Sequence, residues 1–484
     1  MDLAFGAASD LAGALRRKEV GSRELLDHYL SRVERLNPKI NAVVELDVDR
    51  ARAAAAAADE ALARGDAVGS LHGLPMTIKN SIETEGIRTT SGAPELAEHV
   101  PTADAPTVAR LKSAGAIVFG KTNLPLYAGD IQSYNEVHGT TNNPWDLERI
   151  PGGSSGGAAA ALAAGLTSFE LGSDIGGSIR NPAHFCGVFG HKPTWGIVPG
   201  LGHIPGPPGQ LSDTDVGVLG PMGRSTSDLQ LGLDVLAGPD ERRSVGWRLE
   251  LPPARRSSLA EYRMAAWLED PDGAVDPAVG DLLAAAVDAL RGEGAKVDEA
   301  RPEVSFRAAA HLFERLVFSI TTASVPETVY DVCAQIAAAP VADDEPFMTR
   351  GARAIALRYR DWMGLNEERS RQQAAWDRFF RDHDVLLCPI TPVAAFPHDH
   401  TGGVFDRTIT YAGQERPYVE LLHWAGVIGV VHLPAAVVPV GRTADGLPVG
   451  IQIVGPYLED RTVLDVAARI EAVVGGFEAP PGFE

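Results

Sequence analysis

Two serines set among glycines and one lysine in an apolar segment are the residues of this chain best suited to chemistry. Ser178 lies in the run from Gly172 to Arg180, which reads Gly-Ser-Asp-Ile-Gly-Gly-Ser-Ile-Arg. Two glycines directly before a serine allow several backbone N–H groups to converge on one point. Ser154 lies 24 residues earlier, in a Gly-Gly-Ser-Ser-Gly-Gly run, and Lys79 lies 75 residues before Ser154. Such residues suit acyl transfer to a serine.

Cleavage of an amide would make three demands on these residues. Because an amide is a poor electrophile with a poor leaving group, it needs an activated nucleophile, a proton for the departing amine and donors for the developing oxyanion. Ser178 can supply the nucleophile, but a serine hydroxyl is too weakly acidic to act alone. A base must therefore lie within hydrogen-bond reach of it.

Short predicted elements place each of these residues next to a strand or a helix. The apolar run from Pro75 to Lys79 predicts a buried strand that ends at the lysine. The alanine-rich segment 158–164 predicts a helix that begins directly after the glycine-serine loop. Residues 168–172 predict a short strand that leads into the segment carrying Ser178.

The rest of the chain is predicted as helices and turns around this centre. Helical spacing of leucines predicts helices over residues 9–65, and similar patterns predict helices over 275–290 and 306–320. The segment 446–455 reads as an apolar strand behind a turn. With 51 glycines and 34 prolines, the composition favours a large α/β enzyme over a helical bundle.

Bulk composition excludes several functional classes. A formal charge of −21 argues against a nucleic-acid surface or an anionic membrane as the main partner. Three scattered cysteines, Cys186, Cys333 and Cys388, favour reduced core residues over a disulfide framework or a zinc cluster. The start of the chain carries no signal-peptide pattern, and no run of 18 apolar residues occurs. We therefore expect a cytoplasmic protein.

The order and spacing of Lys79, Ser154 and Ser178 resemble those of the amidase signature family, whose members cleave amides with two serines and a lysine. The resemblance implies that Ser178 is the nucleophile, that Ser154 follows a cis peptide and relays the proton, and that neutral Lys79 is the base. The apolar residues before Lys79 are compatible with burial, which lowers a lysine pKa from about 10.4. The resemblance also implies an oxyanion hole made of the backbone N–H groups of Ile175, Gly176, Gly177 and Ser178.

The resemblance extends beyond these three residues, over about residues 70–235 and 384–475. It implies a mixed central β-sheet flanked by helices in an α/β fold. It also implies one domain, with the following parts: N-terminal helices 1–69, a signature core 70–238, a variable and largely helical insertion 239–383, and a return to the core over 384–484. Asn80 departs from the family, since many members carry an aspartate after the lysine.

Other residues are expected to hold the loops of the site or to line a substrate pocket. Ser155 is expected to support the loop by hydrogen bonding. Asp174 and Arg180 are expected to hold the turn as a buried ion pair, with contact between Arg180 and an anionic substrate group as the alternative. Candidates for an apolar substrate pocket, each with core packing as the alternative, are Tyr127, Ile131, Phe185 and Trp424. The resemblance implies no metal or organic cofactor, and it favours a homodimer.

Other interpretations of the same motifs are weaker. Gly153 to Gly157 also fits the G-x-S-x-G nucleophile elbow, with Ser155 as nucleophile, but the preceding segment is rich in turns rather than a strand. The loop lacks the lysine of a phosphate-binding Walker motif. The His398-Asp399-His400 cluster is expected to face solvent rather than a metal, and a structural role is expected for His184, His191 and His203.

The main alternative function is that of the glutamine-hydrolysing component of a tRNA-dependent amidotransferase. That component is similar in its two serines and lysine, hydrolyses glutamine and passes ammonia to a partner. The acidic charge and the proline-rich segment 204–209 favour a stand-alone amidase. The expected substrate is a carboxylic amide, although an ester or a carbamate would need the same oxyanion donors.

Overall fold

A long mixed sheet forms the centre of the chain in the computed structural model, which describes residues 2–320, 325–341 and 345–484. The strands are β1 (Val43–Leu46), β2 (Pro75–Lys79), β3 (Ile117–Thr122), β4 (Tyr134–Asn135), β5 (Gly139–Thr140), β6 (Glu170–Asp174), β7 (Phe189–Lys192), β8 (Val218–Gly223), β9 (Arg263–Ala266), β10 (Lys296–Glu299), β11 (Val385–Cys388), β12 (Thr408–Tyr411), β13 (Gln414–Pro417), β14 (Ala435–Arg442) and β15 (Pro448–Val454). The helices are α1 (Ala8–Arg16), α2 (Ser22–Ile40), α3 (Val48–Arg64), α4 (Pro106–Ser113), α5 (Gly156–Ala163), α6 (Arg180–Cys186), α7 (Thr226–Leu236), α8 (Pro277–Gly292), α9 (Phe306–Ile320), α10 (Glu327–Ala338), α11 (Phe347–Ile355), α12 (Tyr359–Asp382), α13 (His423–Gly429) and α14 (Asp460–Val474).

Eleven of the described strands form one sheet in the order β1-β3-β2-β6-β8-β7-β14-β15-β11-β9-β10. Strand β2 pairs in parallel with both β3 and β6, whereas β6 pairs antiparallel with β8. The predicted fold class, a mixed sheet flanked by helices, is therefore confirmed. Because β2 and β6 are parallel neighbours, their carboxyl ends lie at the same edge of the sheet, as Lys79 and Asp174 do.

Local sequence patterns predicted some elements closely. Strand β2 has the predicted bounds, from Pro75 to Lys79, and helix α9 has the predicted bounds 306–320. Helix α5 begins at Gly156, inside the glycine-serine loop, and ends at Ala163. These elements need only a short apolar run or a strong helix-forming segment, so their own residues determine them.

Two elements differ from the prediction. The segment 9–65 is not wholly helical, because β1 (Val43–Leu46) lies between α2 and α3 and pairs antiparallel with β3. The segment 239–383 is mainly helical, but it also contributes β9 and β10, which extend the sheet beyond β11. In both places pairing with a distant strand decides the conformation, and a single sequence window does not reveal that pairing.

Helix α5 holds the glycine-serine loop against the sheet. Its residues from Gly156 to Ala163 are all buried, and its alanines allow close packing on both sides. A Cβ atom built on Gly157 would come within 2.4 Å of the backbone nitrogen of Asn123. Glycine is therefore required here for close approach of two backbones, which fixes the start of the helix and the loop before it.

Two further expectations from the sequence concern membrane-spanning helices and the cysteine thiols. None of the helices in the described part of the chain has the length and apolar character needed to cross a bilayer. Cys186, Cys333 and Cys388 are free and buried, as predicted for core residues.

Candidate active site

Lys79 lies at the carboxyl end of β2 and is fully buried. Its Nζ atom is 2.6 Å from Ser154 Oγ, 2.9 Å from Ser173 Oγ and 3.0 Å from Ser155 Oγ. The amine is thus surrounded by three hydroxyl groups from two segments, the glycine-serine loop and strand β6. The structure brings Ser154 to Lys79, as the resemblance implies, and places Ser155 and Ser173 beside the same amine.

The protonation of Lys79 follows from its burial. Burial lowers the pKa of the amine from its ordinary value to about 7, while the nearby carboxyl groups of Asp174 and Glu170 act in the opposite direction. In this structure Lys79 Nζ donates to all three hydroxyls, and loss of one proton from the amine leaves a lone pair that can take a proton from a hydroxyl. The shortest contact is with Ser154, so its hydroxyl is the nearest of the three to a neutral Lys79.

The loop over residues 152–157 is held by contacts along its length. The peptide bond between Gly153 and Ser154 is cis. A Cβ on Gly153 would come within 2.4 Å of the Asp130 carbonyl oxygen, so the loop backbone passes very close to its neighbour. The backbone N–H of Ser155 donates to the carbonyl oxygen of Ser178 at 3.0 Å. This bond joins the glycine-serine loop to the segment that carries the predicted nucleophile.

Ser178 differs from the other hydroxyls of the site in its exposure. Its residue is partly exposed, whereas Ser154, Ser155 and Ser173 are buried. The preceding Gly177 has φ of +109°, a conformation that favours glycine and turns the chain sharply after β6. Of these four serines, Ser178 is therefore the residue that a substrate can reach, whereas the other three are buried around Lys79.

Asp174 and Arg180 hold the turn between β6 and α6. Both side chains are fully buried, and Arg180 Nη2 donates to Asp174 Oδ1 at 2.8 Å. The carboxylate also accepts the backbone N–H groups of Gly177 at 2.8 Å and Ile179 at 3.0 Å. Burial alone would raise the pKa of this carboxyl, but the charge and hydrogen bonds of Arg180 hold it at about 2.

The remaining donors of Arg180 also have protein partners. Its Nη1 atom donates to the Ala425 carbonyl oxygen at 2.8 Å and to Gln452 Oε1 at 2.6 Å. With Nε and Nη2 on Asp174, each of the three guanidinium nitrogens donates to an acceptor within the fold. The structure therefore favours the ion-pair role over contact between Arg180 and an anionic substrate group.

The predicted oxyanion donors need one correction. The N–H of Gly177 points to the Asp174 carboxylate and is not available to a substrate, so its assignment to the oxyanion hole is wrong in this structure. Within the described part of the chain, the N–H groups of Ile175, Gly176 and Ser178 donate to no acceptor. These three remain the predicted donors.

The predicted pocket residues do not line one cavity. Ile131 and Phe185 pack in one apolar cluster, and Trp424 packs in another; each is at most 2% exposed. Tyr127 is half-buried, and its hydroxyl donates to Glu95 Oε1 at 2.6 Å. The pocket assignment of the three buried residues is therefore corrected to core packing, because long-range packing and not residue type decides their exposure.

Three residues that the sequence analysis did not single out lie at the site. Ser173, which bonds to Lys79, stands in the signature run one residue before Asp174, so its position in that run was an available signal. Phe313 and Leu422 lie against Gly176, which follows Ile175 in the nucleophile segment. No local pattern reveals this contact, since both residues come from distant segments.

Asn80, which stands where many members of the family carry an aspartate, has hydrogen-bond partners away from Lys79. The Asn80 Nδ2 atom lies 3.2 Å from both Thr90 Oγ1 and His138 Nε2, and Asn80 Oδ1 accepts the Thr90 backbone N–H at 3.3 Å. Burial lowers the pKa of His138 to about 4, so this imidazole is neutral. The side-chain amide of Asn80 thus bonds to uncharged neighbours rather than to Lys79.

The nucleophile-elbow interpretation of Ser155 does not suit its surroundings. Ser155 is fully buried, and its Oγ atom contacts Lys79 Nζ at 3.0 Å and the Ser173 carbonyl oxygen at 3.3 Å. A nucleophile must reach its substrate, and this hydroxyl lies in the hydrogen-bonded interior. Of the histidines, His184 contacts the backbone of Val393 at 3.0 Å and His191 contacts Asp460 at 3.0 Å, in line with structural roles.

Similarity to known proteins extends along nearly the whole chain. The family model described as Amidase matches residues 24–464. Indoleacetamide hydrolase of Bradyrhizobium diazoefficiens is 34% identical over 476 residues, covering 97% of this chain and 86% of that protein. A component of the Glutamyl-tRNA(Gln) amidotransferase of Bdellovibrio bacteriovorus is 33% identical over 494 residues, which cover 97% of each chain. The solved structure of 6-aminohexanoate cyclic dimer hydrolase complexed with substrate matches with a TM-score of 0.80 at 26% identity, over 100% of both chains.

Proposed function

The chain belongs to the amidase family and is an amidase that hydrolyses a carboxylic amide, and we propose that Ser178 is its nucleophile and that it acts without a partner protein. Lys79 is the base in this proposal, and Ser154 carries the proton between the two. The observation that carries the assignment is the 2.6 Å contact between Ser154 Oγ and the buried amine of Lys79, beside a partly exposed Ser178.

Acylation begins with attack by Ser178 Oγ on the amide carbonyl carbon. As the C–O bond forms, the Ser178 proton passes to Ser154 Oγ, whose own proton passes to the lone pair of Lys79. The N–H groups of Ile175, Gly176 and Ser178 receive the oxyanion. Donors of this kind typically lower a barrier by about 3–4 kcal/mol each.

The proton then returns along the same path to the leaving nitrogen. Lys79 gives it back through Ser154, the C–N bond breaks, and the amine departs, leaving an acyl ester on Ser178. A water molecule attacks this ester while Ser154 and Lys79 take its proton; the C–O bond to Ser178 then breaks, the proton returns through Ser154 to Ser178 Oγ, and the carboxylic acid leaves. A lysine with a pKa of about 7 suits both directions of transfer at neutral pH.

Covalent trapping tests the nucleophile. We expect a fluorophosphonate probe to label the wild-type protein once, with the adduct on the peptide containing Ser178 in a mass-spectrometric digest. Ser155→Ala, the matched control from the neighbouring loop, should keep the label on Ser178. An adduct on Ser155 or on another residue would contradict the assignment.

The stand-alone function is favoured over glutamine hydrolysis within an amidotransferase by charge pairing at the site. Glutamine carries an ammonium and a carboxylate, and each needs an oppositely charged or hydrogen-bonding partner once it leaves water. The two charged side chains of the segment that carries Ser178, Asp174 and Arg180, are already paired with each other. An uncharged amide carries no charged group that would need such a partner.

Turnover by the purified chain decides between these two functions. The proposal predicts amine release from uncharged amides without any added protein and little or no ammonia release from glutamine. Ammonia release from glutamine that depends on added partner proteins would instead support the amidotransferase function of the relatives with that name.

The assembly and location of the protein are also part of the proposal. We propose a cytoplasmic homodimer, in line with its acidic composition and with the resemblance noted above. Light scattering coupled to gel filtration should give a mass of about twice 51.2 kDa. A monomer at micromolar concentration would contradict the dimer without affecting the proposed chemistry.

A further inference from the structure

The glycine-serine loop is held by a short segment of the chain, residues 130–133, which we call the bridging segment. The buried Ser133 hydroxyl donates to the Gly152 carbonyl oxygen at 2.9 Å. The same hydroxyl accepts the backbone N–H of Gly156 at 3.2 Å. One side chain therefore bonds to the loop two residues before Ser154 and two residues after it.

The backbones of the loop and the bridging segment are also in direct contact. A Cβ built on Gly153 would come within 2.4 Å of the Asp130 carbonyl oxygen and 2.5 Å of the Ile131 carbonyl carbon. No side chain fits between the two backbones at this point. Because Gly153 directly precedes Ser154, a displacement of the bridging segment would displace Ser154 as well.

A buried ion pair fixes the start of the bridging segment. Arg407 Nη1 donates to Asp130 Oδ2 at 2.7 Å, and the Tyr418 hydroxyl donates to Asp130 Oδ1 at 2.9 Å. The side chains of Asp130 and Arg407 are 7% and 2% exposed. Asp130 Oδ1 also accepts the backbone N–H of Ile131 at 2.7 Å. The carboxylate thus sets the local course of the backbone and ties it to a distant part of the chain.

A second attachment lies two residues further on. Gln132 Nε2 donates to the Asp399 carbonyl oxygen at 2.6 Å, and Gln132 Oε1 accepts the Asp399 backbone N–H at 2.9 Å. The bridging segment therefore lies between two parts of the chain. Asp130 and Gln132 bond to residues 399–418 on one side, and Ser133 bonds to the glycine-serine loop on the other.

The proposed proton path makes the position of Ser154 critical. Its Oγ atom must face both Ser178 and Lys79, and its distance to Lys79 Nζ is 2.6 Å. A misplacement of about 1 Å in a reacting group can lower a rate by about 10²-fold. The contacts that hold the loop on both sides of Ser154 therefore bear directly on the rate of proton transfer.

We propose that Asp130 and Ser133 are positioning residues for Ser154, and that the buried pair of Asp130 with Arg407 makes acylation depend on residues 399–418. This inference rests on the proposed function, in which Ser154 carries the proton. In that mechanism neither positioning side chain touches a reacting atom. Each acts through the backbone of the glycine-serine loop.

The first test is the rate at which a fluorophosphonate labels Ser178, which needs the proton path but no particular substrate. Ser133→Ala removes both bonds to the loop, and Asp130→Asn removes the charge that pairs with Arg407. Each should lower the second-order labelling rate constant by about tenfold or more. Ser154→Ala removes the proton carrier itself and should lower it further.

Two substrates with one acyl group distinguish a displaced Ser154 from a general loss of activity. The nitrogen of butyranilide must receive a proton through Ser154, whereas the phenolate of phenyl butyrate leaves with less assistance. Ser133→Ala and Asp130→Asn should therefore lower kcat/KM for the anilide more than for the ester. The ratio of the two values should fall by about threefold or more.

Asp384→Asn is the matched control, because it removes a buried carboxylate that also pairs with arginine. Asp384 directly precedes β11 and accepts from Arg256 Nε at 3.0 Å and Arg263 Nη2 at 2.9 Å. This variant should be less stable but should keep the wild-type labelling rate and substrate ratio. Tyr418→Phe removes only the hydroxyl that bonds to Asp130 and should cause a smaller loss than Asp130→Asn.

Several results would overturn the inference alone. Wild-type labelling rates in folded Ser133→Ala and Asp130→Asn would do so, as would an equal loss in Asp384→Asn. An unchanged anilide-to-ester ratio would also do so, because it would indicate a general loss of activity. Should Asp130→Asn fail to fold, wild-type rates in Ser133→Ala and Tyr418→Phe would overturn it.

Failure of the proposed function has a different signature. Absence of the label from Ser178 in the wild type would contradict the nucleophile. A wild-type labelling rate in a folded Ser154→Ala protein would contradict the proton path. Neither result is produced by a failure of the bridging segment to position the loop.

Discussion

At the scale of single residues, the chemistry depends on keeping one amine neutral. Lys79 loses its hydration by burial and receives three hydroxyl groups in exchange, none of which carries charge. Burial therefore disfavours the ammonium form, and the pKa falls to about 7. A lysine at the protein surface would be protonated and could accept no proton from a serine.

The pH dependence of activity follows from this lowered pKa. Because the neutral amine is the active form, kcat/KM should rise with pH through about 7 and fall about tenfold for each unit below it. Initial rates between pH 5 and 9 measure this limb. An activity that stays constant down to pH 5 would contradict a lysine base.

Two other buried lysines require a control for that assignment, since burial also lowers the pKa of Lys121 and Lys192 to about 7. Ser173→Ala removes a hydrogen-bond acceptor from Lys79 alone and disfavours its ammonium form. The inflection should therefore move to lower pH in this variant. An unmoved inflection would assign it to another group.

At the scale of elements, the site exists because two parallel strands and two glycine-rich turns end at one place. Parallel pairing of β2 and β6 brings Lys79 beside Ser173, and α5 fixes the loop that carries Ser154. The buried Asp174 then shapes the turn after β6 by accepting backbone N–H groups as well as Arg180. The positions of the reacting groups thus come from backbone geometry more than from side-chain flexibility.

Asp174→Asn tests how much this turn depends on the buried charge. Loss of the carboxylate leaves Arg180 charged and unpaired, and breaking a buried pair typically lowers the free energy of unfolding by about 3–5 kcal/mol. Because the folded-state pKa of Asp174 is held at about 2, its contribution is present above pH 4 and is lost as the pH falls through about 2. Urea denaturation of both proteins at several pH values measures the difference.

The control for that prediction is an exposed pair. Asp272 pairs with Arg307 at the surface, with side chains 33% and 66% exposed. Asp272→Asn should change the free energy of unfolding by no more than about 1 kcal/mol. An equally small effect of Asp174→Asn would show that the turn does not need the ion pair.

The close backbone approach at α5 gives a second prediction for an element. In Gly157→Ala the added Cβ would meet Asn123 backbone atoms at 2.4 and 2.6 Å, which cannot move independently of β3. We expect a loss of about 1–3 kcal/mol in the free energy of unfolding, with reduced activity. Gly280→Ala, on α8 with open space around it, should be neutral or stabilising by up to about 1 kcal/mol. Equal melting temperatures for the two variants would contradict the close approach.

At the scale of the whole molecule, the central sheet joins distant parts of the chain. Strands β9 and β10 come from the segment predicted as an insertion, yet they extend the same sheet through β11. The proposed single domain should therefore unfold in one calorimetric transition, and deletion of residues 239–383 should prevent folding. Two separate transitions would contradict a single domain.

The sequence predicted the parts of this molecule that local residues determine. Strand β2 and helix α9 follow from short patterns, and the contact of Lys79 with Ser154 follows from a recognisable order of motifs. Strand β1 and the exposure of Phe185 could not be read locally, since both depend on distant partners. The same reason explains why the contact of Phe313 with Gly176 emerged only from the structure.

The most direct test of the central claim compares amine release by the purified wild type, Ser178→Ala and Ser155→Ala on uncharged amides. We predict partner-free turnover by the wild type, a loss of about 10⁴-fold or more in Ser178→Ala with its fold intact, and a smaller loss in Ser155→Ala. Circular dichroism and melting temperature verify the folding of each variant. Wild-type rates in a folded Ser178→Ala protein, or a complete loss only in Ser155→Ala, would contradict the assignment of Ser178 as nucleophile.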